Sequence, residues 1–266
     1  MKVLAGSLLS SLSLLLLLLG GYGRVFGGRR EVGGESGVVS GEVIRLPWPS
    51  FEGRVSVERA LSTRRSIRDY TSEPVSLEEV SQILWSAYGI TETEYGFKTT
   101  PSAGATYPLE VYLVVNPRGV SHGEDFIEAG SYKYDPHSHS LFLVRRGDFR
   151  NDLYRAALEQ EWVRDAAANL VFTAIFRRTT GRYGKRGIRY VWIEVGHAGQ
   201  NVYLQATAMG LATVAIGAFH DSWVKEIIGA SDEEEPLYIM PIARPLYRYE
   251  FTLDEYKRYV LKRRGY

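Results

Sequence analysis

Between residues 56 and 88 the apolar positions recur at helical spacing, and each run carries its own start signal. Ser56 can cap a first helix with Val57, Ala60 and Leu61 on one face. Ser76-Leu77-Glu78-Glu79 reads as a capping box, and Leu77, Val80, Ile83, Leu84, Ala87 and Tyr88 form one stripe before Gly89 stops the helix. Residues 110–115 change the pattern to a β-former-rich strand ended by Asn116-Pro117. Residues 132–134 and 140–144 predict a hairpin around Asp135-Pro136. A helix is expected over 153–162, a strand over 170–176 and a long helix over 193–209, closed by Gly210. Strands are expected over 211–218 and 237–242. With no internal repeat and no strict alternation of strand and helix, this order predicts an α+β domain.

The amino-terminal pattern is different. Residues 3–23 hold no charge, residues 14–19 are all leucine, and Lys2 precedes them. This reads either as a signal peptide or as an uncleaved membrane anchor, its length being close to the ~20 residues a spanning helix needs. No A-x-A cleavage site follows. Arg24, Arg29 and Arg30 then bias an anchored domain toward the cytoplasm, with export after cleavage as the alternative. Residues 24–43 read as a Gly- and Arg-rich linker, 44–250 as the folded domain and 251–266 as a charged carboxy-terminal extension.

The chain has 266 residues, 45% of them hydrophobic, enough for one substantial core. A formal net charge of +1 gives no field that would favour nucleic acid, so a local arginine cluster points to a small anion. There is no cysteine, which excludes cysteine-held iron–sulfur clusters and zinc sites, a thiol nucleophile and a flavin–disulfide relay.

That arginine cluster is Arg64-Arg65-Ser66-Ile67-Arg68. Guanidiniums offer planar forks of donors that match phosphate oxygens, and Ser66 adds a hydroxyl; the plainer reading is a solvated helix end. Some forty residues on, Ser102-Ala103-Gly104 in PSAGATYP leads into a strand, and side chains this small let backbone approach a flat ligand closely. Together the two segments suggest a phosphorylated planar cofactor. Glu194, His197, Gln200 and Asn201 put polar groups on an otherwise apolar helix, as hydrogen-bonded residues of the interior or, for His197, as a catalytic group. His137 and His139 have two-ligand spacing but no third ligand near them in sequence, so no metal is expected. There is no Walker loop, no G-x-G-x-x-G after a strand and no G-x-S-x-G elbow.

In order, SVERALSTRRSIRDY, SLEEVSQILWSAYGI, TPSAGATYPLEVYLVV, YKYDPHSHSL, RYGKRGIRYVWIEVGHAGQNVYLQATAMGLATVAIGAF and PLYIMPIARP resemble the nitroreductase-like flavoproteins, specifically the SagB-type dehydrogenase branch. The resemblance spans about residues 46–247. It implies an α+β fold with a central, mostly antiparallel sheet flanked by helices, an intertwined homodimer, and FMN bound between subunits. It assigns the FMN phosphate to Arg64, Arg65, Ser66 and Arg68, with Arg244 returning on the phosphate side. Ser102, Ala103 and Gly104 match the segment that a partner subunit offers the flavin, and Ala215, Ile216 and Gly217 match the stretch whose backbone N–H approaches flavin N5.

Two positions depart from the family. Ala105 and Tyr107 stand where broader nitroreductases carry Asn and Gln, in agreement with the SagB-type branch. Where that branch has a Lys-Tyr pair, this chain has Arg182-Tyr183. Tyr183 is the acid/base candidate, whereas Arg182 cannot accept a proton near neutral pH, which weighs against azoline oxidation. The implied activity is an FMN-dependent oxidoreductase passing a hydride through flavin N5, on a small-molecule or peptide substrate. The alternatives are an NAD(P)H-dependent nitro or quinone reductase, and a flavin-holding partner subunit of a peptide-modifying complex without turnover of its own.

Overall fold

Leu109–Val115 (β3) is the strand around which the other elements are arranged, and its sequence shows why. Leu109, Val111, Leu113 and Val115 enter one apolar cluster while Tyr112 and Val114 enter another. A strand covered on both faces reads as a nearly continuous apolar run, as LEVYLVV does. In the computed structural model, which describes residues 42–265, β3 lies inside a six-stranded sheet. Its other strands are β1 (Val43–Arg45), β6 (Gly130–Asp135), β7 (Ser140–Arg146), β8 (Ala168–Ala174) and β9 (Glu235–Ile242). The order is β1-β7-β6-β3-β8-β9, and every neighbouring pair is antiparallel. A small second sheet joins β2 (Val75–Ser76), β4 (Val120–His122) and β5 (Asp125–Phe126). The α+β fold with a central antiparallel sheet is therefore as expected.

Helices cover both faces. α2 (Leu77–Tyr88) and α6 (Arg186–Met209) pack Ile83, Leu84, Val191, Ala198 and Val202 on the face carrying Val111 and Leu113. α3 (Arg150–Ala156), α4 (Glu161–Arg164) and α7 (Asp221–Ile228) cover Tyr112, Val114 and Val171 with Leu153, Val163 and Val224. Ile83 and Leu84 are fully buried, and truncating such a residue to Ala costs roughly 2–5 kcal/mol. The capping box of α2 is complete: Ser76 Oγ accepts from the Glu79 N–H, and the Glu79 carboxylate accepts from the Ser76 N–H at 2.8 Å.

Several expectations need correction. The helix expected over 153–162 is two short helices, because Leu158 and Glu159 adopt φ of 56° and 58° and break the run. The strand expected over 211–218 makes only isolated bridges, Ala212 with Ala243 and Ile216 with Ile239. α6 begins at Arg186, ahead of its expected start. The strand expected over 170–176 runs from Ala168 to Ala174. α1 (Val57–Thr63) is capped by Ser56 as expected, but only Ala60 of its apolar residues is buried. α5 (Arg177–Tyr183) and α8 (Leu253–Arg264) were not foreseen.

The segment expected as a leader, and all but the end of the expected linker, lie outside the described residues. Among the described residues no helix is long and apolar enough to cross a membrane.

Candidate active site

The sequence-selected residues fall into two groups, both tied to α6. The first forms where the Arg64–Arg68 segment runs beside the 213–217 loop, with the Ile67 N–H donating to the Thr213 carbonyl at 3.1 Å. Tyr203 of α6 joins the two segments. Its Oη pairs with Ser66 Oγ at 2.9 Å and accepts the Ala215 N–H at 2.7 Å. Each arginine rests on an aromatic ring: Arg64 on Tyr203 at 5.1 Å, Arg65 on Tyr249 at 3.7 Å and Arg68 on Trp162 at 5.1 Å. Among the described residues none of these three forms an ion pair, although arginines elsewhere in the chain commonly do. Two buried polar atoms beside them, Thr213 Oγ1 and Trp162 Nε1, also lack a partner among the described residues. A segment with positive charge, a hydroxyl and no competing carboxylate has the donor set a phosphate requires.

Arg244 differs from its expected role. Its backbone does return to this segment, its carbonyl accepting the Thr71 N–H at 3.0 Å. The guanidinium, however, forms a fork-to-fork pair with Glu79, at 2.6 and 2.7 Å, and its Nε donates to the Pro74 carbonyl. Those donors lock the β9 end of the chain onto the capping box of α2 and are not free for an anion. Of the three 215–217 amides, the Ala215 N–H goes to Tyr203 and the Ile216 N–H to the Ile239 carbonyl. Gly217 is exposed, and its N–H makes no hydrogen bond among the described residues.

The second group gathers around the Ser102–Tyr107 loop. Gly104, Ala105 and Tyr107 have φ of 61°, 53° and 44°, a left-handed conformation that costs about 1–3 kcal/mol at a non-glycine residue. Contacts from α5 and α6 hold the loop there. Arg182 Nη1 donates to the Gly104 carbonyl at 2.9 Å, and Thr106 Oγ1 pairs with Thr179 Oγ1 at 2.8 Å. Ser102 Oγ donates to Glu194 at 2.6 Å and accepts the Tyr107 N–H at 2.9 Å. A Cβ at Gly104 would meet Tyr183 Oη and the Arg182 guanidinium, so a larger residue here would have to displace the ends of those two side chains as well as adopt a left-handed backbone. The Tyr183 ring is fixed edge-on against Tyr190, at 5.1 Å. The segments carrying Ser102-Ala103-Gly104 and Arg182-Tyr183, about eighty residues apart in sequence, therefore meet.

Glu194 holds the second group from below. It is buried, and it also accepts from Tyr88 Oη at 2.8 Å. Burial raises its pKa above the ordinary carboxylate value, partly offset by the bonds from Ser102 and Tyr88. The sequence marked Glu194 as a polar residue on an apolar helix, but its link to Ser102 was not legible. His197 and Gln200 are exposed, while Asn201 donates to Thr100 Oγ1 and the Thr99 carbonyl. His139 pairs with Ser81, Tyr134 and the Pro47 carbonyl in the interior, and His137 is exposed, so the two imidazoles play separate structural and surface roles. Among the described residues no cluster could hold a metal ion. Glu194 and Tyr203, the anchors of the two groups, are separated by about 13 Å along α6. No hydrogen bond or ion pair joins the groups among the described residues.

This fold, and this chain's sequence, are those of a known class of redox proteins. The profile of the Nitroreductase family matches residues 61–244, and the chain belongs to that family. It is thus a nitroreductase-family oxidoreductase. It is 46% identical over 206 residues to MJ1384 of Methanocaldococcus jannaschii, named as a nitroreductase candidate, covering 77% of this chain and 99% of that protein. A crystal structure named likewise from Ralstonia eutropha superposes with a TM-score of 0.67 at 28% identity, covering 79% of this chain and 92% of the other. The microcin B17-processing protein McbC of Escherichia coli is 29% identical over 154 residues. That match covers 56% of this chain and 55% of McbC, so the chain spans about half of that relative.

Proposed function

We propose that this chain is an FMN-dependent oxidoreductase of the SagB-type branch, working as a homodimer. The observation that carries the reading is the Arg64–Arg68 segment, whose guanidiniums are placed by aromatic rings and left without carboxylate partners. The donor set fits FMN, with Arg64, Arg65, Arg68 and Ser66 to hold the phosphate and the exposed Gly217 amide to meet the ring system. When bound, FMN supplies the two-electron redox chemistry, and the protein supplies binding and orientation. Ser102, Ala103 and Gly104 of a second copy close the opposite side in this reading, which gives a purpose to a strained loop held by Glu194 and Arg182. Tyr183 Oη, beside Gly104, is the group that gives or takes a proton. Arg182 positions the loop through the Gly104 carbonyl.

A second reading is supported by the likeness to McbC: the chain holds flavin as one subunit of a peptide-modifying assembly. Absorption spectra of the protein lacking residues 1–23, recorded anaerobically before and after NADH or NADPH, separate these possibilities. A flavin spectrum that bleaches favours a reductase fed by nicotinamide. A flavin spectrum that persists favours the dehydrogenase direction or the assembly subunit, and a protein that cannot be loaded with FMN contradicts the proposal.

A further inference from the structure

A cavity of about 520 Å³ opens where β3 begins, β6 ends and α2 stops. Its volume is that of a small-molecule site. Lys98 lines it at the end of a short turn whose geometry is fixed: residue 98 bridges to Ile90, and its N–H donates to Tyr107 Oη at 3.2 Å. The Lys98 ammonium lies 3.9 Å from the Tyr88 ring centroid and 4.9 Å from that of Tyr107. Among the described residues it makes neither an ion pair nor a hydrogen bond. The other two cations lining the cavity are already paired, since Lys133 and Arg178 share Glu110 at 3.2 and 2.5 Å. Asp135 is turned to its own hairpin, accepting from the His137 and Ser138 amides and from Ser138 Oγ.

Of the three cations that line the cavity, Lys98 is therefore the one without an ion pair among the described residues. The remaining walls are mostly apolar or aromatic, with Leu109, Val111 and Phe142 beside four tyrosines, and Thr106 and His137 are their polar members. Such walls favour a flat hydrocarbon body, and an unpaired ammonium among them favours one anionic group. We propose that this cavity is a binding site for a small organic carboxylate with a planar apolar body, whose carboxylate pairs with Lys98. The proposal rests on none of the flavin assignments above.

Burial of Lys98 brings its pKa down to about 8. The groups around it are Tyr88 from α2, Glu110 from β3, Asp135 from β6, Arg178 from α5 and Glu194 from α6. Of these, the tyrosine, whose own pKa burial holds well above the ordinary value, keeps its proton across that range. Binding of a carboxylate should accordingly weaken as pH rises through about 8, as the ammonium is lost.

The test is calorimetric titration of the purified protein with benzoate and with benzamide, its neutral isostere. Benzoate should bind at least about tenfold more tightly than benzamide, the worth of one charge-assisted contact. Lys98→Met should abolish that preference, Lys98→Arg should retain it, and Lys257→Met on the exposed α8 should leave it unchanged. Equal binding of the two probes, or a benzoate preference that survives in Lys98→Met, overturns the proposal. The Lys98→Arg variant guards against a loss that merely reflects misfolding.

Discussion

Arg244 lies beside Thr71, three residues past the Arg64–Arg68 segment, yet its guanidinium and those of the segment are in opposite chemical situations. Arg244 gives its fork to Glu79 and its Nε to the Pro74 carbonyl, and so fastens the end of β9 to the start of α2. Arg64, Arg65 and Arg68 rest on aromatic rings with no carboxylate attached. Stacking fixes where a guanidinium sits without taking its in-plane donors, although Arg65 Nη1 already donates to the Arg64 carbonyl at 2.7 Å; a bidentate carboxylate takes those donors away. Nearness to a candidate anion site therefore does not make an arginine part of it.

The largest effect expected lies outside this pair, at Tyr183 of the second group, proposed above as the acid/base residue. Removing the hydroxyl in Tyr183→Phe should lower turnover by about 100-fold or more, with flavin content unchanged, measured by anaerobic half-reaction kinetics. An unchanged rate would move the acid/base role elsewhere. Arg244→Met separates the lock on α2 from anion binding. It leaves Glu79 partly buried without its partner, so stability should fall by about 2 kcal/mol in denaturant unfolding while FMN affinity of the folded protein holds. A selective loss of FMN affinity would return Arg244 to the anion site.

Gly104→Ala should cost about 1–3 kcal/mol, because the added methyl meets Tyr183 and Arg182 on a left-handed backbone. It should also lower turnover, since the loop cannot keep its position. The smallest effect is that of Glu194→Gln. Burial raises the Glu194 pKa, so the folded chain holds that proton more tightly than the unfolded one. The corresponding stability is present at acid pH and is lost as pH rises past the shifted value. The glutamine variant should flatten the part of the stability profile that lies above the ordinary carboxylate range, read from melting temperatures across buffers.

Much of this architecture was legible because local signals and tertiary demands agree. The α2 capping box sits where Ser76 and Glu79 predicted, and the apolar run of β3 is buried on both faces. α5 was missed because RRTTGRY carries no apolar stripe; it is held by packing against α6, where Gly187 meets the Thr179 backbone. Residues 211–218 look like a strand by composition, but the Ala215 amide finds a tyrosine hydroxyl instead of a ladder. Of the candidate site, the arginine segment and the small-residue loop could be picked out from spacing and residue type. The engagement of Arg244 could not, because Glu79 lies 165 positions away and only the fold brings it within reach. Glu194 was visible as a misfit on its helix, and its partners became visible only with α6 docked.

In the proposed function, Arg64 and Arg65 hold a phosphate. The most direct test of this role is to titrate the flavin-free protein with FMN and with riboflavin, which lacks the phosphate, and to repeat both with the Arg64→Met/Arg65→Met protein. With charge-assisted contacts contributing about 1.5–3 kcal/mol each, FMN should bind the unaltered chain at least about 100-fold more tightly than riboflavin. That preference should collapse in the double variant while riboflavin binding stays the same. Equal affinities for the two flavins, or a preference that persists without the two arginines, would contradict the account.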